Sequence, residues 1–252
     1  MLTSVFEARR GVLGGFIYPE LARKRVLITG LSASAGVDVA RAFADHGCRM
    51  VLQIRSPSQE TDALLAVLAD SAEEIEASHA GIEAPEEAVR FTQSAVSRFG
   101  GLDIVVNLIP LDRDDLDRSA SVADVEDLIA CRLQGALQAT RVAANRMGLT
   151  WSHGIIINVL AAHVPLDGGE AAMIAVARSV LAGMTRQEAQ YWARDGVRIN
   201  AIAPPTILSG GYSASDGEVA SGIAALTLYL AAGRGADMSG LMLDPTIDLS
   251  RD

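Results

Sequence analysis

Cysteine is nearly missing from this chain. Only Cys48 and Cys131 occur, with no metal-ligand spacing, so a disulfide framework and a zinc site are excluded and a reducing, cytoplasmic setting is expected. Basic residues are outnumbered, 21 Lys and Arg against 31 Asp and Glu, for a formal net charge of −10. That balance argues against nucleic acid and against anionic membrane surfaces as main partners. No apolar run is long enough to cross a bilayer. The N-terminal patch from Gly11 to Tyr18 is too short, and Pro19-Glu20-Leu21 follows it where a secretion signal would carry a small-residue cleavage site. Residues 1–24 read as an arm packed on the domain or on a neighbouring subunit. Aromatics amount to 4% of the chain, whereas hydrophobic residues reach 50% and alanine and glycine abound. Such a composition suits tight packing of helices on a sheet and excludes disorder.

What is present is an alternation of buried strands and helices across residues 25–252, without a break that would divide them into two domains. The stretch Arg25 to Gly36 runs from a continuous apolar strand (Val26, Leu27, Ile28, Thr29) through a small-residue turn into a helix over Val37 to His46. A strand, a tight turn and a helix N-terminus place backbone N–H groups where they can meet a phosphate. Further strands are expected at Arg49–Ile54, Ile75–Ala80, Leu102–Ile109, Gly154–Leu160, Val197–Ala203 and Gly240–Leu243. Helices are expected at Thr61–Ala69, from Pro85 to Gly100, and at Val122–Met147, Glu170–Arg194 and Gly217–Ala232. The acidic stretch with Asp112, Asp114, Asp115 and Asp117 reads as a solvated loop and not as a metal site. Strands separated throughout by helix-length segments imply right-handed βαβ crossovers. The expected fold is therefore α/β, a doubly wound parallel sheet of Rossmann type in three layers, α/β/α.

Four landmarks in order resemble the short-chain dehydrogenase/reductase family. Thr29-Gly30 with Gly36 matches part of its TGxxxGxG turn, and Gly101 to Asn107 (GLDIVVN) its GxLDxLVNNAG strand. Val197 to Pro204 (VRINAIAP) matches its RVNxIxPG segment, and Ser239-Gly240 with Asp244 resembles its C-terminal TGxxxxVDGG strand. The resemblance implies descent from enzymes that transfer hydride between a nicotinamide cofactor and a carbonyl or alcohol. In that family the chemistry rests on a Ser, a Tyr, a Lys and an Asn. Counting back from Gly183-Met184-Thr185-Arg186, which resembles the GLTR end of the helix that carries the relay, the Lys position is Arg178 and the Tyr position Ile174. The Ser position is Ala161, and the Asn position, three before Gly135, is Arg132. Isoleucine has no proton to give and alanine no hydroxyl. Arginine keeps its charge at any working pH and serves as neither acid nor base. Losing one general acid costs about 10²–10⁴ in rate, and here every member is replaced.

The cofactor positions that the resemblance implies are Gly30, Ser32, Ser34, Gly36, Arg55 and Asn107. Ser34 stands where the family has its middle glycine, so a Cβ and a hydroxyl enter the pyrophosphate turn. Ile54 occupies the place of the NAD-selecting acid and Arg55 follows it, which favours NADP(H) over NAD(H). Leu108-Ile109-Pro110 replaces Asn-Ala-Gly beside the nicotinamide ribose. Two functional expectations follow. One is a non-catalytic subunit or nucleotide-binding scaffold, assembled through the two long helices as a homo-oligomer or with an active homologue. The other is an NADP(H)-dependent oxidoreductase with a rebuilt site, in which His163 substitutes as proton donor and Arg132 with Arg178 makes the cleft basic for an anionic carbonyl or alcohol. Halohydrin dehalogenases, a non-redox relative with Arg in the Lys position, fit poorly because they also require the Ser, the Tyr and an aromatic residue where Ser34 stands.

Overall fold

The computed structural model describes residues 18–112, 114, 121–163, 165, 167–204 and 216–245. Most of the N-terminal arm therefore lies outside the described residues. So do parts of two expected loops, including Asp115, Asp117 and residues 207–215.

Seven parallel strands form one sheet in the spatial order β3-β2-β1-β4-β5-β6-β7. They are β1 Arg25–Leu31, β2 Arg49–Ile54, β3 Glu74–Ser78, β4 Ile104–Leu111, β5 Ile155–Ala162, β6 Arg198–Ile202 and β7 Met242–Leu243. The order reverses between β1 and β4, the switch point where a doubly wound sheet leaves a crevice at its C-terminal edge. β1, β4 and β5 are buried along nearly their whole length, as expected of strands covered on both faces.

The helices are α1 Val37–Asp45, α2 Gln59–Ala69, α3 Pro85–Arg98, α4 Val122–Thr150, α5 Gly168–Trp192 and α6 Asp216–Ala231. On one face, α1 and α6 cover the sheet with Val39, Phe43, Val219, Ile223 and Leu226 in the largest apolar cluster. On the other face Phe91 and Val96 of α3 and Ala143 and Met147 of α4 pack on Leu27, Val105 and Ile156. A third cluster joins Leu133 of α4 with Ile174, Ala177 and Leu181 of α5 beside the C-terminal ends of β4 and β5. The fold is the α/β/α sandwich expected from the strand–helix alternation.

Two pins hold the centre of the sheet. At its lower edge the Asp103 carboxylate accepts the Arg25 backbone N–H at 2.9 Å and the guanidinium through Nε at 2.9 Å and Nη2 at 2.7 Å. Deeper in, Asn107 of β4 reaches both neighbouring strands. Its Oδ1 accepts from the Thr29 hydroxyl at 3.0 Å, and its Nδ2 donates to Asn158 Oδ1 at 2.9 Å and to Thr140 Oγ1 of α4 at 3.1 Å. The described end of the arm also joins the core, with Tyr18 and Leu21 buried against the α1 side.

Candidate functional site

The site begins at the turn between β1 and α1. Gly30 and Gly36 both adopt left-handed backbone, at φ 77° and 84°. A Cβ on Gly30 would strike the Leu108 carbonyl, and one on Gly36 would strike the Leu108 side chain, so only glycine lets the turn lie against β4. The turn then closes on itself. Ala35 N–H donates to the Ser32 hydroxyl at 3.1 Å, and the Ser32 and Ser34 hydroxyls lie 3.1 Å apart. Gly30 N–H donates to Oε1 of the buried Gln53 at 2.7 Å, and Gln53 Nε2 donates onward to the Ala80 carbonyl at 2.9 Å. Three of the turn's amides, those of Gly30, Ser32 and Ala35, are thus satisfied within the protein. Beyond it α1 presents Val37, Asp38 and Val39 to the crevice, which sets a carboxylate at the helix end where an anion would otherwise be favoured.

The crevice is divided. Its larger part is a cavity of about 280 Å³ between the turn, the end of β5 and α6, bordered by Ser34, Asp38, Asp112, Ala161, His163 and Asp216 among aliphatic side chains. Its smaller part, about 40 Å³, lies between β1, β4 and α4, next to Thr29, Arg55, Glu83, Pro110 and Arg132. Leu108, only 3% exposed, borders both. Above it an ion pair crosses the crevice, from Arg55 Nη1 after β2 to Asp112 Oδ2 after β4, at 2.6 Å. Because β1 lies between β2 and β4, this bridge spans the C-terminal end of β1. The Ile82 carbonyl packs so close to Gly135 of α4 that no Cβ would fit there, which narrows the smaller cavity further. An extended dinucleotide needs both parts joined. With the Arg55–Asp112 pair made, the residues present do not fit one.

The four residues expected at the family's relay positions lie as follows. Ala161 stands opposite Pro110 in the β4–β5 register and borders the larger cavity. Ile174 is 1% exposed, sunk into the apolar cluster beside β4 and β5, and is not among the residues that border either cavity. Arg178 turns to the end of β6, where Nη1 donates to the carbonyls of Ala203 and, at 2.7 Å, Pro204. Arg132 borders the smaller cavity only. The expected basic cleft built from Arg132 and Arg178 is therefore corrected. The two arginines do not meet, and among the described residues the larger cavity is bordered by three aspartates and one histidine with no arginine or lysine. His163 does reach that cavity, with Nδ1 3.7 Å from Asp216 Oδ2.

Of the expected cofactor residues, Gly30 and Arg55 border the smaller cavity and Ser34 and Gly36 the larger. Ser32 supports the turn from within, and Asn107 is fully buried with its amide committed to β1, β5 and α4. The sequence marks Leu108 as bulk beside the nicotinamide ribose, but Gln53 and Asp112 are not singled out there as residues shaping the crevice. For Asp112 a signal existed, since the strand order of a doubly wound sheet puts the end of the fourth strand across the first from the end of the second. Among the described residues no group of three or more His, Cys, Asp or Glu could hold a metal ion, and no helix is long and apolar enough to cross a membrane.

A doubly wound sheet with a crevice at its β1/β4 switch point defines a nucleotide-binding class of fold. The family model for short chain dehydrogenases matches residues 24–216, and the chain belongs to that family. Curated relatives include a 3-oxoacyl-[acyl-carrier-protein] reductase of Staphylococcus aureus, 28% identical over 188 residues, covering 74% of this chain and 75% of the relative. Another is 3beta-hydroxysteroid dehydrogenase 1 of Eggerthella lenta, 26% identical over 188 residues, covering 75% of this chain and 72% of the relative. Among solved structures, an NADH-dependent reductase crystallised with NAD superimposes with a TM-score of 0.70 at 22% identity, covering 90% of this chain and 96% of that one. A short-chain dehydrogenase/reductase from Serratia marcescens gives 0.71 at 21% identity, covering 89% and 96%. At these identities the structural likeness concerns the fold.

Proposed function

We propose that this chain is a non-catalytic member of the short-chain dehydrogenase family, an oligomer-forming subunit that keeps the dinucleotide fold without the family's proton relay. The observation that carries this reading is the fate of the relay positions. The Tyr position is a core isoleucine, the Ser position an alanine, and the Lys position an arginine spent on the carbonyls that end β6. A side chain without a titratable proton cannot protonate a carbonyl oxygen, and neither arginine can take the part. The outer surface of the long helices supports assembly. Val176 and Val180, one turn apart on α5, are about half exposed, and Leu149, Trp151 and Tyr191 at the ends of α4 and α5 are 68%, 77% and 72% exposed. Large apolar side chains left exposed on these helices favour a contact there. For a dinucleotide that entered in place of the Asp112 contact, Arg55 favours NADP(H) over NAD(H). Native mass spectrometry of protein from its own host, with and without NADPH, tests the reading. It is expected to report an oligomer that includes a second, active homologue. Recovery of a homo-oligomer alone counts against the pairing.

One observation favours a second reading. His163 and Asp216 face each other at the larger cavity, and a histidine beside a carboxylate suits proton transfer near neutral pH. In this alternative the chain is an NADP(H)-dependent oxidoreductase rebuilt around His163. Activity on carbonyl substrates that falls in His163→Ala supports it, and equal inactivity of both proteins removes it.

A further inference from the structure

We propose that Asp112 keeps dinucleotides out of the crevice: its ion pair with Arg55 is a strap across the end of β1 that holds the two cavities apart. The inference rests on the reading of the crevice as an inherited dinucleotide site. Four observations converge on it. The pair is short, 2.6 Å, and half-buried on the arginine side. Its two ends come from strands that flank β1, so the side chains must cross the space above the turn to meet. Asp112 borders the larger cavity and Arg55 the smaller, which puts the strap on the line between them. Leu108 borders both cavities and lies against Gly36, where any side chain would strike it. A bound dinucleotide would lie across β1 at this switch point, in the volume the strap occupies.

The strap also fixes how the exclusion is relieved. Adjacent strands lie about 4.8 Å apart, so β2 and β4 are separated by roughly twice that, and only a long arginine side chain closes the gap. When Asp112 no longer accepts it, the guanidinium is free to take a bidentate anion such as a 2′-phosphate. A dinucleotide that carries that phosphate then gains a partner that NADH lacks. Asp112 and the phosphate compete for one cation. The apparent affinity is reduced by the fraction of molecules in which the strap is closed.

Calorimetric titration of NADPH and NADH into the full chain tests this, with Asp112→Asn, Asp112→Ala and the double variant Arg55→Ala/Asp112→Ala. The wild type is expected to bind both dinucleotides more weakly than about 1 mM, while each Asp112 variant binds NADPH about tenfold tighter or better and NADH tighter by a smaller factor. In the double variant NADPH loses its advantage over NADH. Asp112→Asn preserves shape at a half-exposed position, so folding is retained and an unchanged melting temperature verifies it. Micromolar NADPH binding by the wild type overturns the proposal, as does an affinity that neither Asp112 variant changes. Turnover of a carbonyl substrate by any of these proteins contradicts the non-catalytic reading instead, so the two failures are told apart.

Discussion

Replacing Asn107 by leucine separates a structural role for this residue from a cofactor-binding one. The two side chains have the same number of heavy atoms and the same branching, so the substitution leaves no cavity; leucine's methyl groups are bulkier than the amide, so the double-variant comparison below is what isolates the hydrogen bond. In the wild type Asn107 accepts from Thr29 Oγ1 and donates to Asn158 Oδ1 and Thr140 Oγ1, and the four side chains are at most 1% exposed. Leucine strips the Thr29 hydroxyl of its acceptor. It also leaves Asn158 Oδ1 with only the 3.3 Å bond from Thr140. A buried polar group that loses its partner costs about 1–3 kcal/mol, so an orphaned Thr29 hydroxyl together with a weakened Asn158 Oδ1 gives a loss on the order of 3 kcal/mol. For a domain of this size that corresponds to a fall in Tm of roughly 6–12 °C. Scanning calorimetry and urea titration provide the measurement, and Thr29→Val provides the control. The double variant Thr29→Val/Asn107→Leu should lose less than the sum of the two single losses, because the first substitution removes the donor that the second strands. A loss below about 1 kcal/mol for Asn107→Leu, or strict additivity with Thr29→Val, refutes the reasoning.

Two further outcomes follow from the buried groups. Burial raises the Cys48 thiol to about 12, with the nearby Asp103 charge adding to the effect, whereas Cys131 is exposed on α4. A maleimide at pH 7.5 should therefore label one thiol in the native protein, at Cys131, and two after unfolding. Rapid labelling of native Cys48 would contradict its placement. Burial pushes the Asp103 carboxyl upward, but the hydrogen bonds from the Arg25 side chain and backbone outweigh it and hold the group below its ordinary value of 3.8. Its stabilising contribution is present above that ordinary value and is lost as pH falls through the depressed one. Asp103→Asn should accordingly lower stability at pH 7 and flatten the acid limb below about pH 4. An acid limb parallel to the wild type would show that Asp103 contributes nothing there.

Much of the architecture was legible because its strands are continuous apolar runs, a pattern that only a sheet covered on both faces requires. Element ends were less so, for identifiable reasons. α2 begins at Gln59 and not Thr61 because Ser58 and Thr61 form a reciprocal capping box, with threonine where the usual pattern has Glu or Gln. α4 runs past its expected end at Met147 to Thr150 and stops at Trp151 in left-handed backbone. Within the crevice, the residues expected at the relay positions could be counted from the sequence, but their surroundings could not. Nothing in a uniformly apolar strand tells which face Asn107 takes. Arg55 and Asp112 are 57 positions apart, and only the strand order brings them together. The expectation of a basic cleft failed for the same reason, since the backbone at the end of β6 offered Arg178 carbonyl partners that no motif announces.

The most direct test of the central claim is NADPH consumption followed at 340 nm, with wild-type protein and a panel of carbonyl compounds that includes 3-oxoacyl thioesters and 3-ketosteroids. A chain without a proton donor at the relay positions should show no turnover above the protein-free rate. Turnover in the ordinary enzymatic range of about 1–10³ s⁻¹ on any member of the panel would contradict the account.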